Sequence, residues 1–282
     1  MKRPKIGLAL GAGGPRGLAH IGVIKVLEEN NIPIDYIAGT SIGAMIGGFY
    51  AYKKDIKQIE KIALGIDRTL IFSLLDPSFS QGLLGGEKVV NFIEKNIDKV
   101  HFDDLKIPLS VVATNFKSGD AVVITKGKVS SAIRASISLP LVFNPVHWEG
   151  KVLADGGLSQ PVPVDVLKNM GAELIIAVNL NAGFFASENT KDDKFGFYKI
   201  AENSIDLLQN NLARQNVKNA DVVINPHVGD ARWAQLLDGE KLIVAGEDAT
   251  EMILPQLKEL MSQKSKGGLR KYVKSFIKKI FG

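Results

Sequence analysis

The chain has 282 residues, 45% hydrophobic and 23% charged, with no cysteine; it can bury a full core, and disulfides, thiolate metal sites and a cysteine nucleophile are excluded. Its formal charge of +5 is uneven: residues 264–282 hold seven basic groups and no acid, and taking these from the 35 basic residues leaves 28 against 30 acidic. A near-neutral body with one basic tail points to an anionic surface met by the C-terminus, and away from a nucleic-acid-binding domain.

Lys5–Leu10 is a short apolar run ending at glycines, the pattern of a strand buried on both faces. Basic residues precede it, but Gly11–Gly14 and Arg16 interrupt the run before it reaches signal-peptide length. Leu18–Asn30 reads as a helix with Ile21, Ile24, Val26 and Leu27 on its apolar faces. Tyr36–Ala38 is a second strand, entering Gly39-Thr40-Ser41-Ile42-Gly43 and then a helix through Tyr52. The apolar stretch Ile37–Ala51 is too short to span a membrane. Leu70–Gly86 is less regular and rich in Phe and Leu; core packing is the default expectation, and an apolar flap over a site the alternative.

Gly86–Asp98 reads as a helix. Leu109–Asn115 and Ala121–Thr125 read as strands about a Lys117-Ser118-Gly119-Asp120 turn. Ser130–Ser136 is a short helix, and Lys151–Ala154 a strand running into Asp155-Gly156-Gly157. Val164–Met170 is a helix, Leu174–Asn179 a strand, Lys199–Asn216 a helix and Asp221–Asn225 the last strand. Strands alternating with helices imply an α/β sandwich on a mostly parallel sheet. No linker divides it, so residues 1–262 form one domain and residues 263–282 a basic amphipathic helix.

Three motifs carry chemistry. Gly39–Gly43 sits between a strand and a helix, where a sharp turn can present the Ser41 hydroxyl and flanking glycines relieve crowding. Gly11-Ala12-Gly13-Gly14-Pro15-Arg16-Gly17 also joins a strand to a helix. It is not a dinucleotide loop, because that spacing needs glycine where Arg16 stands, and it lacks the Lys and Ser/Thr of a phosphate loop. Free N–H groups there suit an oxyanion. Pro15 has no N–H, which leaves Gly13, Gly14 and Arg16, the last as donor or as a pin for the loop. Asp155, at a strand end, can take a serine proton without a histidine relay; taken alone, an aspartate serving a turn is the leading reading. His20, His101, His147 and His227 are scattered, so a Ser–His–Asp triad is the weaker mechanism. No metal is expected, since neither the histidines nor the acidic residues have ligand spacing.

Together and in this order, these elements resemble the patatin-like phospholipase family, in its small bacterial type. The resemblance runs from about Lys5 to Val228. It takes in Leu18-Ala19-His20-Ile21-Gly22-Val23, Arg134-Ala135-Ser136 with Leu139-Pro140, Pro163-Val164 and Gly171-Ala172; Ala12 departs from a family loop that often begins with glycine. It implies a patatin-type three-layer α/β/α sandwich and a lipid acyl hydrolase of phospholipase A or lysophospholipase type. It also implies a Ser41–Asp155 dyad without cofactor and an oxyanion hole from Gly13, Gly14 and Arg16. Acyl transfer on the same site, or a non-catalytic lipid-binding module, are the alternatives.

In the tail, Leu269, Tyr272, Val273, Phe276, Ile277 and Ile280 recur at steps of three and one, an apolar stripe. Arg270, Lys271, Lys274, Lys278 and Lys279 fill the rest, with Gly267-Gly268 as a hinge. The expectation is a helix lying in an anionic membrane interface, hence a cytoplasmic protein held peripherally on a membrane. Docking on its own domain or on a second copy, as a homo-oligomer, is the competing reading.

Overall fold

A computed structural model describes residues 3–65, 85–182, 196–229 and 238–281, with backbone only for Tyr198 and residues 266–281. In chain order its elements are β1 (Ile6–Leu10), α1 (Ala19–Glu29), β2 (Tyr36–Thr40), α2 (Ile42–Lys53), α3 (Ile56–Leu64), α4 (Glu87–Ile97) and β3 (Leu109–Asn115). There follow β4 (Ala121–Ile124), α5 (Val129–Ser136), β5 (Val146–Trp148), β6 (Lys151–Asp155), α6 (Val164–Asn169), β7 (Leu174–Val178), α7 (Phe197–Asn216), β8 (Val222–Ile224) and α8 (Gly239–Phe281).

Strand alternation sorts these elements into layers. Ile6, Leu8 and Leu10 of β1 join a core built with α1, α2, α3, α4, α5 and α8, while Ala9 joins a second core with α6 and α7. β7 divides the same way, Leu174, Ile176 and Val178 to the first and Ile175 and Ala177 to the second. Helices thus cover both faces of the sheet, giving the expected three-layer α/β/α arrangement. The second face is lined by small residues, and a Cβ on Gly7 would lie 2.8 Å from that of Ala172, so that layer packs close.

The sheet order is β5-β6-β3-β2-β1-β7-β8, with β4 also paired to β3. β1–β2, β2–β3, β1–β7 and β7–β8 are parallel; the three pairings of β4, β5 and β6 are antiparallel. β3 is shared in an unusual way. Val111 and Val112 pair with both β2 and β4, and Ala113 and Thr114 with both β4 and β6. A strand has two edges, so β2 and β6 lie end to end along the same edge of β3. They run in opposite senses, and their C-terminal ends meet where Thr40 pairs with Val112 and Asp155 with Ala113.

α8 crosses α1 through paired glycines. A Cβ at Gly22 would come 1.9 Å from the Ile243 carbonyl oxygen, and one at Gly246 2.0 Å from that of Ala19; only glycine permits this approach. Further along, Lys264 Nζ donates to Asp221 Oδ1 at 2.7 Å and to the Glu173 carbonyl, at the starts of β8 and β7. The helix continues through Gly267-Gly268 to Phe281, so the division expected at residue 262 falls inside one helix. Side chains of the expected membrane face, Leu269, Arg270, Lys271, Lys274, Phe276, Ile277, Lys278 and Ile280, lie outside the described residues, as does most of the expected flap at 70–86. Among the described residues no helix is long and apolar enough to cross a membrane.

Candidate active site

The end-to-end meeting of β2 and β6 builds the site. Ser41 follows β2 with φ 56° and ψ −123°, and caps α2. A non-glycine residue held at positive φ is costly and persists only where its surroundings fix it. Here the surroundings are glycine-lined. A Cβ on Gly39 would lie 2.6 Å from Ala44 Cα, and one on Gly43 2.2 Å from the Leu10 carbonyl oxygen. The turn aims Ser41 at the last residue of β6, and its Oγ donates to Asp155 Oδ2 at 2.6 Å. Gly156 completes the junction, since a Cβ there would come 2.2 Å from the Val112 carbonyl oxygen.

Asp155 is 1% exposed. Its other oxygen, Oδ1, accepts the Gly157 N–H at 2.7 Å. Burial pushes its carboxyl up from 3.8 to about 6, against the downward pull of the Ser41 and Gly157 hydrogen bonds. A buried carboxylate with a hydroxyl on one oxygen and a backbone donor on the other is oriented for proton transfer, with a basicity raised toward neutral pH.

The glycine loop follows β1, whose Leu10 pairs with Gly39 of β2, so both turns leave the same edge of the sheet. A Cβ on Gly17 would strike Ile42, the residue after Ser41, at 2.2 Å; the loop therefore wraps the Ser41 turn. No hydrogen bond engages the N–H of Gly13 or Gly14 among the described residues, and Gly14, at φ +54°, borders open space. Arg16 is placed differently. Its N–H donates to the Gly13 carbonyl at 3.2 Å. Its guanidinium, buried, donates to the carbonyls of Gly13 at 3.0 Å and Leu180 at 3.4 Å and lies 3.7 Å from Asp206. Of its two expected roles, this geometry favours the pin.

A match to known families decides the affiliation: the family described as patatin-like phospholipase covers residues 8–168, more than half of the chain. The chain belongs to the patatin-like phospholipase family. An uncharacterised NTE family protein of Mycobacterium tuberculosis is 41% identical over 179 residues, covering 63% of this chain and 49% of that protein. A lysophospholipase nte1 of Neurospora crassa is 36% identical over 183 residues, covering 63% of this chain and 12% of its own length. The chain thus spans about half, or far less, of the curated relatives it matches. Among solved structures, VipD from Legionella pneumophila superposes with a TM-score of 0.63 at 16% identity, covering 91% of this chain and 67% of that one; it bears on the fold.

Within this patatin-like frame, no histidine hydrogen-bonds to Ser41 or Asp155 among the described residues. His20 is fully buried, and its neutral ring donates Nε2–H to the Gly11 carbonyl at 2.8 Å. Burial lowers its pKa from 6.5 to about 4, the Gly11 bond acting in the opposite sense. It holds the start of the glycine loop. His101 caps a short turn through Asp104, His147 lies exposed on the edge strand β5, and His227 is exposed after β8.

Sequence reasoning assigned no role to Ser136 and Ser138. The Ser136 hydroxyl accepts the Ser41 N–H at 2.8 Å and donates to the Val112 carbonyl at 2.6 Å, so it fixes the strained turn from α5. The Ser138 carbonyl accepts the Asp155 N–H at 2.9 Å. Ser136 closes the stretch Arg134-Ala135-Ser136 that carries part of the family resemblance, and Ser138 lies two residues on; that stretch is the one signal in the sequence that could have singled them out.

Proposed function

We propose that this chain is a serine lipid acyl hydrolase working through Ser41 and Asp155, on the carboxylic esters of phospholipids or lysophospholipids. The observation that carries the reading is the 2.6 Å hydrogen bond from the Ser41 hydroxyl, on its strained turn, to a buried carboxylate whose pKa is raised to about 6. Asp155 takes the Ser41 proton as Oγ attacks the ester carbonyl carbon. The tetrahedral oxyanion is met by the N–H groups of Gly13 and Gly14, in a loop held by Arg16 and His20. Collapse expels the alcohol, which takes the proton from Asp155, and leaves the acyl group on Ser41. Asp155 then deprotonates a water that attacks this ester; the fatty acid leaves and Ser41 regains its proton. No step requires a histidine or a metal.

The test is direct. A fluorophosphonate probe is expected to label Ser41, and Ser41→Ala and Asp155→Asn each to abolish hydrolysis of a soluble nitrophenyl ester. Substantial turnover by either folded variant refutes the mechanism. The basic tail is the proposed contact with an anionic membrane surface, each basic group contributing about 1 kcal/mol. Deleting residues 267–282 is expected to weaken binding to anionic vesicles and to remove its salt dependence, while equal binding with and without the tail assigns that helix to packing.

A further inference from the structure

α5 ends at Ser136, and the chain then runs Ile137-Ser138-Leu139-Pro140-Leu141-Val142 before reaching β5. This stretch starts between the two catalytic candidates, because Ser136 holds the N–H of Ser41 and Ser138 that of Asp155. A tight turn follows, with the N–H groups of Val142 and Phe143 both on the Leu139 carbonyl at 3.1 and 2.9 Å. Arg134 clamps its far side, donating to Ser138 Oγ at 2.7 Å and the Asn144 carbonyl at 3.0 Å, with its guanidinium 5.2 Å from the Phe143 ring centroid. The turn is therefore tied down by hydrogen bonds, and it begins directly after Ser138, whose carbonyl holds the Asp155 N–H.

Its side chains are what the core leaves over. Leu139, Pro140, Leu141 and Val142 are all half-buried. Val142 packs against the main core, but Leu139 and Leu141 belong to neither core among the described residues. Leu141 also sits at φ 72°, a conformation that a bulky residue without a hydrogen-bonding side chain adopts only at a cost, and that glycine adopts freely. Strain of this kind, at a side chain that joins neither core among the described residues, is characteristic of functional sites.

We infer that Leu139 and Leu141 form the wall against which the substrate's acyl chain lies, and so set its preferred length. The inference rests on the serine hydrolase reading above. An ester whose carbonyl oxygen is met by the glycine loop directs its acyl chain away from that loop, and an apolar turn that begins directly after Ser138, whose carbonyl holds the Asp155 N–H, supplies a dry surface for it. Each methylene laid on such a surface changes the rate constant for the long ester and leaves the acetyl ester without the contact.

The experiment compares kcat/KM for nitrophenyl acetate and nitrophenyl decanoate in the parent, Leu141→Ala, Leu141→Gly and Leu139→Ala, with Ser41→Ala as the blank. The decanoate-to-acetate ratio is expected to fall by about tenfold or more in each variant, chiefly through KM for decanoate. Leu141→Gly, which relieves the positive φ, is expected to match Leu141→Ala in this ratio while unfolding at a higher temperature than Leu141→Ala. Variants in which both esters slow together with an unchanged ratio overturn the acyl wall and make the turn a structural support. A parent with no Ser41-dependent turnover of either ester overturns the hydrolase reading, and the acyl wall with it.

Discussion

Asp155→Asn is expected to make the protein inactive and more stable. Asn has nearly the size of Asp; its carbonyl can still accept the Gly157 N–H, and its amide can donate to Ser41 Oγ. It carries no charge to bury. The carboxyl of Asp155 is raised from 3.8 to about 6, mainly by burial, so the folded protein binds that proton more tightly than the unfolded chain does. Stability from this group is full below about pH 4, declines as pH rises and is lost above about pH 6. At neutral pH the ionised group therefore costs on the order of 3 kcal/mol. The variant escapes most of this, so at about pH 8 it is expected to gain roughly 1–3 kcal/mol, or roughly 2–8 °C in thermal midpoint. The assay is urea and thermal unfolding of parent and variant from about pH 4 to pH 8, taking the difference at each pH so that His20 and the other titrating groups cancel. The gain should shrink towards zero at the acid end. A variant no more stable than the parent at pH 8, or a difference that does not change with pH, refutes the account of a carboxylate strained by burial.

The same pKa governs rate in the opposite sense. Ser41 needs an ionised base, so kcat/KM on a soluble ester should fall below about pH 6, tenfold per pH unit; a profile flat down to pH 5 contradicts Asp155 as base. Ser136→Ala leaves the Ser41 N–H without its acceptor, and is expected to cost about 1–3 kcal/mol of stability and to lower kcat more than it raises KM; an unchanged kcat removes Ser136 from the nucleophile's support. Replacing His101, His147 or His227 by glutamine should leave turnover near that of the parent, and a loss as deep as that of Ser41→Ala in any of them restores the triad mechanism.

What the sequence made legible, and what it hid, follows from where each constraint lies. β1, β3 and β7 announce themselves because both faces of each strand are buried, which leaves unbroken apolar runs. Ser41 and Asp155 are legible as a strand-end serine and a strand-end aspartate. Their meeting is legible only through the family resemblance and not from the residues themselves, because it depends on β6 taking the continuation of β2's edge on β3 rather than a new position in the sheet. β5, which carries His147, escaped notice because three residues on an exposed edge have no periodicity to read. α8 up to residue 262 is the largest omission: it carries Gly239, Gly246 and Pro255, residue types that disfavour a helix interior. Gly246 is instead the residue that lets α8 cross α1, and Pro255 sits inside a helix that tertiary packing sustains. Arg16 shows the complementary limit, because whether a guanidinium donates to a ligand or ties down its own loop is decided by Leu180 and Asp206, distant in sequence.

The course of α8 sets the proposed membrane contact and the proposed active site at opposite poles. Ser41, Asp155 and the glycine loop stand at the C-terminal edge of the parallel strands, whereas Lys264 is fastened to Asp221 and Glu173, at the N-terminal edge. From Gly239 to Lys264 the helix covers roughly 38 Å at 1.5 Å per residue, and the basic segment continues beyond that point. A surface seized by this segment therefore lies on the far side of the body from the serine. Under the proposed membrane contact, a straight extension of α8 would turn Ser41 outward like a lamp on a post, toward lipid arriving from solution or from an apposed membrane. To graze on the bilayer it stands on, the helix would have to fold back, and Gly267-Gly268 is the place in the sequence where it could.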